Sequence, residues 1–174
     1  MALRLRSART SDAVAIAELH IASWRDAYRG VLSPDFLATS IETEFNTHWQ
    51  AALTGRRRPG AVVVAMAGRH LAGFTAAWRE GVNCHVDNLH VRPGMRNAGI
   101  GRALLGFAAQ RLQDQGAVSA DLWVFAANQG AARFYLSLGA EVEAPVARET
   151  YGQTVTERRM YWPSISALIA ACAR

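Results

Sequence analysis

Leu89-His90-Val91-Arg92-Pro93-Gly94-Met95-Arg96-Asn97-Ala98-Gly99-Ile100-Gly101 is the stretch on which the fold turns. Its first residues close an alternating segment, Cys84 to Val91, that reads as a strand. From about Gly99 to Gln115 the apolar residues follow a helical period. The loop between holds Gly94, Gly99 and Gly101, with Arg96 and Arg102 beside them. A helix start exposes unpaired N–H groups and the positive end of the helix dipole. Glycines there let a pyrophosphate approach the backbone closely, and the two arginines add charge at the same end. Competing phosphate motifs fail on detail. A triphosphate loop needs Gly-Lys-Ser/Thr, and this chain has no lysine. A dinucleotide fingerprint needs GxGxxG, and the order here is GxxxxGxG counted from Gly94. A glycine-rich connection without a ligand is the alternative.

Upstream of this stretch, Ala61 to Ala67 and Leu71 to Arg79 read as two further strands. The links Gly68-Arg69-His70 and Glu80-Gly81-Val82-Asn83 are of hairpin type, so the middle of the chain is an antiparallel meander. Leu3 to Ala8 alternates as a short first strand. Thr10-Ser11-Asp12 offers N-cap side chains to a helix that runs to about Tyr28 and stops at Gly30. Ser33-Pro34 starts a second helix, and a further helical stretch runs from about Ile41 to Leu53. Arg56-Arg57-Arg58, in the turn from Thr54 to Gly60, is either a solvated loop or a contact to a cofactor phosphate. Downstream, Ser119 to Phe125 is a strand and Asn128 to Leu138 a helix closed by Gly139. Glu141 to Glu149 and Thr154 to Trp162 are the last strands, and Ser164 to Arg174 forms a terminal helix. The order β-α-α-β-β-β-α-β-α-β-β implies an α/β protein with a mixed sheet and helices on both faces.

Size and composition bound the function. At 174 residues the chain is expected to be one domain. Residues 1–60 supply the first strand and two helices, 61–162 the core, and 163–174 a tail. No apolar run approaches the length of a membrane helix, and the start lacks the apolar stretch of a signal peptide, so a cytoplasmic location is expected. Cys84 and Cys172 cannot build a disulfide framework and sit in no metal-ligand spacing; both read as structural thiols, and no metal is expected. All 19 basic residues are arginine and the net charge is +5. A lysine-free, alanine-rich composition suggests a GC-rich bacterial genome, by association with codon bias. The positive charge suits an anionic small ligand and also nucleic acid. No aromatic-rich basic strand, helix-turn-helix or zinc pattern supports the second, so no nucleic-acid partner is expected.

The pattern Leu89-x-Val91-x-Pro93-x-x-Arg96-x-x-Gly99-x-Gly101 resembles the acetyl-CoA signature of the GCN5-related N-acetyltransferases, the GNAT family. Further along, Asn128-x-x-Ala131-x-x-Phe134-Tyr135-x-x-Leu138-Gly139 is similar to the family's second signature. The resemblance covers about Ala61 to Trp162; the first sixty residues match in layout only. It implies a sheet splayed between the strands ending near Val91 and Phe125, with the pantetheine arm of acetyl-CoA in the gap. Leu89, His90 and Val91 would pair with that arm through the backbone. Arg96, Asn97, Ala98, Gly99, Ile100, Gly101 and Arg102 would hold the pyrophosphate. Asn128 would cap its own helix, contact the arm, or both.

The same resemblance gives expectations for chemistry. Tyr135 would protonate the departing thiolate of coenzyme A, or else serve as a core aromatic beside Phe134. His85 stands where some family members carry a glutamate base, with Asp87 on the same strand face by a period of two. A satisfied strand histidine and a water chain to solvent are the alternatives. Trp123 stands where other members place a glutamate. Trp24, Tyr28 and Trp123 are candidate acceptor-binding residues, with Phe36, Phe125 and Tyr151 nearby and Asp87 or Glu149 to meet a cation. Core packing is the alternative for Trp24 and Tyr28. The implied reaction is acetyl transfer from acetyl-CoA to a primary amine on a small molecule or peptide. A fold of this type that binds acetyl-CoA without transferring it is the alternative. A homodimer stays open.

Overall fold

The computed structural model describes residues 3–55 and 60–174. Arg56, Arg57 and Arg58, the candidate phosphate contact, lie outside the described residues. Within them, β1 (Leu3–Ser7), β2 (Gly60–Ala67), β3 (His70–Glu80) and β4 (Asn83–Val91) form an antiparallel meander. β5 (Ser119–Phe125) joins β4 in parallel, and β8 (Gln153–Trp162) continues antiparallel beyond it, with β6 (Glu141–Val142) and β7 (Val146–Thr150) both paired to β8. The result is an eight-stranded mixed sheet in the order β1-β2-β3-β4-β5-β8-β6, with β7 off that path.

Alternation along the strands divides the interior in two. Val63, Ala65, Val86 and Leu122 face a core with α3 (Ile100–Gln113) and α5 (Ile165–Cys172). Val64, Phe74, Phe125 and Val155 face another with α1 (Ala13–Ala27) and α2 (Ile41–Thr54). Helices therefore cover both faces, as the element order requires. α4 (Gln129–Ser137) follows β5 and brings Tyr135 to the first core. Burial pushes the Cys84 thiol up to about 12 and the Cys172 thiol to about 11, as inert packing thiols require.

Three local expectations change. Ser33-Pro34 and Ile41–Leu53 are not separate helices, because a π-helical turn, Phe36–Ser40, runs directly into α2. The expected strand Glu141–Glu149 is two pieces, since Pro145 has no N–H for the ladder and falls between β6 and β7. Asp12 does not cap α1. Its carboxylate accepts two hydrogen bonds from Arg6 (2.7 and 2.9 Å) and one from the Arg9 backbone N–H (2.7 Å), tying β1 to the 3-10 turn Thr10–Asp12.

The feature that shapes the molecule lies at the middle of the sheet. β4 and β5 pair only at Asn83, Cys84 and His85 against Ser119, Ala120 and Asp121. Beyond this they part. On β3, Ala77 faces Val86 and Ala76 faces Asn88, so Asp87 is an extra residue, a β-bulge that bends β4. The buried Thr75 hydroxyl donates to the Asn88 carbonyl there (2.7 Å). The splay between strands ending near Val91 and Phe125 is present as the sequence implied.

Gly73 fixes how closely α3 approaches this strand. A Cβ at this position would meet the His90 carbonyl at 2.8 Å and Leu104 Cδ1 at 2.9 Å. Gly73→Ala is therefore expected to cost about 1–3 kcal/mol through overpacking. Urea unfolding measures it; an unchanged midpoint would mean that β4 and α3 yield freely.

Candidate active site

The parting of β4 and β5 opens a cleft of about 1110 Å3. One wall is β4. Its Arg92 N–H donates to Ala72 O (2.8 Å). By the alternation of an antiparallel ladder, the N–H and C=O groups of Leu89 and Val91 then point away from β3 and toward the gap. Leu89, His90 and Val91 all line the cleft. The Leu89 and Val91 side chains pack against the α3 core, while the His90 ring lies tilted against His20 of α1 (4.5 Å) and Phe74 (5.3 Å).

The loop after β4 turns sharply. Gly94, Asn97 and Gly99 have φ of 85°, 64° and 76°. Asn97 is thus a non-glycine residue in the left-handed region, where asparagine is tolerated best after glycine. Gly99 is the N-cap of α3, and the first hydrogen bond from the new helix backbone to it comes from Ala103 N–H. The N–H groups of Ile100, Gly101 and Arg102 are consequently free of helical partners and face the end of the cleft. Arg96, Asn97, Gly99, Ile100, Gly101 and Arg102 line it; Ala98 is an exposed turn residue outside the lining. Arg96 is half exposed and pairs with Asp26 of α1 (2.7 Å).

The other wall comes from β5 and α4. Asn128 caps α4 by accepting from Ala131 N–H (3.1 Å), and its Nδ2 lies 3.5 Å from the Tyr28 hydroxyl. Tyr135 is 7% exposed and lines the cleft, with its ring edge-on to Phe134 and Trp162. Burial, and secondarily Tyr28, raises its phenol above the usual range, which favours the protonated hydroxyl, the form that can donate.

At the last rung where β4 and β5 still pair, His85 faces Asp121. His85 Nδ1 donates to Asp121 Oδ1 (2.8 Å), and Asn83 Nδ2 (2.9 Å) and Arg159 Nε (2.6 Å) also donate to the carboxylate. Burial alone would raise Asp121; these hydrogen bonds prevail and hold it at about 2. The same bond raises the His85 pKa, against a smaller lowering by burial. With Nδ1 engaged, Nε2 is the nitrogen left to exchange protons. The bulge breaks the strict alternation expected of His85 and Asp87. Asp87 is exposed and accepts from Trp78 Nε1 (3.3 Å) and Asn88 Nδ2 (3.1 Å); His85 and Asp87 nonetheless both line the cleft.

The remaining wall is aromatic. Trp24 meets Tyr28 (5.1 Å), Phe45 (4.9 Å) and Tyr151 (5.6 Å), and Phe36 stacks on Tyr151 (4.6 Å). Tyr28 packs on Phe125 (4.6 Å) and turns its hydroxyl to Asn128, on the α4 side of the cleft. Trp123 is covered by the Arg148 guanidinium (4.4 Å). Trp24 and Tyr28 therefore both pack into the α1 core and line the cleft. Beneath them His20 is buried and its Nδ1 accepts from Trp49 Nε1–H (3.1 Å). Burial lowers His20 well below the usual value and His90 to about 3, so both rings are neutral. Asp121, Arg148, Glu157, His20 and His48 are cleft-region residues that the sequence did not single out. Asp121 carried a signal, as a lone acid in the apolar run Ser119 to Phe125.

A central sheet parted over a helix N-terminus is the layout of an acyl-CoA-dependent transferase. Residues 16–140 match the model of the Acetyltransferase (GNAT) family, and the chain belongs to that family. It is 28% identical over 169 residues to the uncharacterized N-acetyltransferase YuaI of Bacillus subtilis (strain 168), covering 94% of this chain and 95% of that one. Among solved structures, the PaiA N-acetyltransferase of Thermoplasma acidophilum in complex with coenzyme A superposes with a TM-score of 0.75 at 20% identity, over 91% of this chain and 98% of that one. A GCN5-related N-acetyltransferase from Rhodopseudomonas palustris gives 0.76 at 19% identity, over 93% and 96%. The donor of this family is acetyl-CoA. The residues present fit it: free N–H groups and two arginines at the α3 start for the diphosphate, and an unpaired strand edge for the amide-bearing arm.

Acetyl-CoA is expected to raise the melting temperature, with a stabilisation of about 2.7 kcal/mol at a hundredfold excess over Kd. A Cβ at Gly101 meets Phe134 Cζ and Val91 Cγ2 at an ordinary 3.6 Å. Gly101→Asp should therefore fold yet lose the ligand shift, because its carboxylate stands where the diphosphate must approach. Differential scanning fluorimetry reads both. A wild-type protein that ignores millimolar acetyl-CoA would overturn the assignment of this loop.

Proposed function

We propose that the chain transfers the acetyl group of acetyl-CoA to a primary amine by direct attack inside this cleft. The observation that carries the reading is a buried tyrosine, Tyr135, lining a gap whose β4 wall turns backbone groups away from β3. The donor supplies a thioester whose carbonyl the amine attacks. The Leu89 region provides a backbone N–H for the negative charge that develops on the carbonyl oxygen, in a site where donors are already fixed in place. Tyr135 gives its proton to the departing sulfur. A free phenol near 10 is already a weaker acid than a thiol near 8.5, and burial weakens Tyr135 further, so the donation helps only if the hydroxyl is held at the sulfur.

His85 takes the proton that the amine must lose. Its Nδ1–H is held by Asp121, which fixes Nε2 as the base and raises its basicity. The amine enters on the side of Trp24, Tyr151 and Trp123, where aromatic rings surround an apolar or cationic body.

Tyr135→Phe keeps the ring and removes the hydroxyl. Turnover is expected to fall by about 10²–10⁴, with the acetyl-CoA-induced thermal shift retained. Wild-type turnover under chemistry-limited conditions would make Tyr135 a packing residue only.

The pH profile tests the base. A raised His85 places the acid limb of kcat/KM above the ordinary histidine value of about 6.5. Asp121→Asn removes the group that raises it, so the limb should move to lower pH. A limb that stays in place would take His85 out of the proton path. The depressed Asp121 also contributes stability that is present above its unfolded value of about 3.9 and lost as pH falls toward 2. At the pH of the assay, therefore, the wild-type carboxylate stays ionised throughout.

A further inference from the structure

Glu157 is a carboxylate in the cleft that the transfer chemistry does not use. It lies on β8, opposite Phe125 of β5 and Val146 of β7, and is 7% exposed. Burial raises its pKa; the Arg148 charge and a hydrogen bond from the Thr150 side chain partly oppose that. Arg148 Nε approaches Glu157 Oε2 at 3.4 Å, well beyond the about 2.7–2.9 Å of a tight charge-assisted bond. The same guanidinium lies over the Trp123 indole at 4.4 Å. Arg159, the cation on the neighbouring rung, is committed to Asp121 (2.6 Å) and Glu143 (2.9 Å).

A carboxylate at the back and an indole face at the side make a seat for a cation, and the chain fills it with one of its own. The occupant and the seat differ in how firmly they are held. Glu157 lies on β8 between β5 and β7, and Trp123 lies on β5, paired to β8 along its length. Arg148 is on β7, a five-residue strand paired only to β8, and its side chain is 46% exposed. It can swing to solvent without disturbing the sheet, whereas the two groups beneath it cannot follow. Without Arg148, Glu157 would keep the hydrogen bond from the Thr150 side chain but have no cation beside it, so a cation that displaces Arg148 restores the charge pairing of a desolvated carboxylate.

We propose that Glu157 and Trp123 form the seat for a second cationic group, ammonium or guanidinium, on the acceptor, and that Arg148 occupies the seat until the acceptor displaces it. The acceptor class is then a molecule with two cationic centres, one acetylated and the other held. This rests on the acetyl-transfer reading only for the fate of the first amine.

The test compares 1,4-diaminobutane with 1-aminobutane, in calorimetric binding to the coenzyme A complex and in acetyl transfer. Wild type should bind the diamine about ten- to hundredfold tighter, the range of a charge-assisted contact in a buried site. Glu157→Gln should collapse that preference toward one. Arg148→Ala should tighten the diamine, because it removes the competitor; the substitution is at a half-exposed side chain and keeps the test alive if the Glu157 variant folds poorly. Equal binding of the two amines by wild type, a preference that survives in Glu157→Gln, or weaker diamine binding in Arg148→Ala would each overturn the seat. The binding arm needs no turnover. A diamine that binds as expected but gains no acetyl group defeats the transfer reading and leaves the seat standing. Equal transfer to both amines, with equal KM, does the reverse.

Discussion

The molecule is organised around a place where its sheet fails to close. β4 and β5 share three residue pairs and then separate, leaving strand edges open at the centre of the sheet instead of at its rim. Unpaired backbone groups in such a position are costly unless something bonds to them. The bulge at Asp87 makes the parting local and definite. It bends β4 after His85, and the Thr75 hydroxyl secures the bent segment by meeting the Asn88 carbonyl. A strand that must be completed by an extended, amide-bearing molecule is thus built into the middle of the sheet, and the start of α3 places free N–H groups where that molecule's charged end would lie.

The two cores keep this opening rigid. Below it, α3 sits close on β3 because Gly73 offers no side chain, and Ala72, Ala76 and Ala77 keep that strand slim. Above it, Trp49, Phe45 and Phe74 are fully or almost fully buried around His20. The Tyr151 ring at the β7–β8 turn stacks on Phe36, which ties the hairpin to the helical layer across the cleft. Tyr151 takes a φ of 49° to do so, a left-handed conformation that a tyrosine adopts only under constraint from its surroundings. The gap persists because its walls are anchored on opposite faces of the sheet.

What could be read from the chain follows from range. The loop from Arg96 to Gly101, the meander and the Asn128 cap are written in neighbouring residues, and turn glycines and periodicity reveal them. The bulge at Asp87 has no local sign, since one extra residue in a strand looks like any other until its partner strand is aligned. The π turn at Phe36–Ser40 is hidden for a similar reason, because five helical residues read the same whichever hydrogen bond closes them. Pro145 does carry a local sign, since a proline within an inner strand argues for a break. Asp121, Arg148 and Glu157 become a group only through the pairing of β5 and β7 with β8, which joins residues whose sequence separation carries no signal.

The charge of the chain acquires a direction once these pairings are known. Arg96 and Arg102 stand at the α3 end of the cleft, while Asp87, Glu149 and Glu157 line the part formed by β4, β7 and β8, where Arg148 pairs with Glu157. Between them His20 and His90 are neutral by burial and contribute no cation. An anionic donor would therefore be drawn to the α3 end, and a cation to the other end only as it displaces Arg148 from Glu157. Net charge alone could not say this, since +5 spread over a surface favours any polyanion. The separation also explains why Asp121 is held so firmly. A carboxylate at the cationic end would repel the donor, whereas one beneath His85, bonded by three neighbours, stays ionised and keeps the imidazole basic.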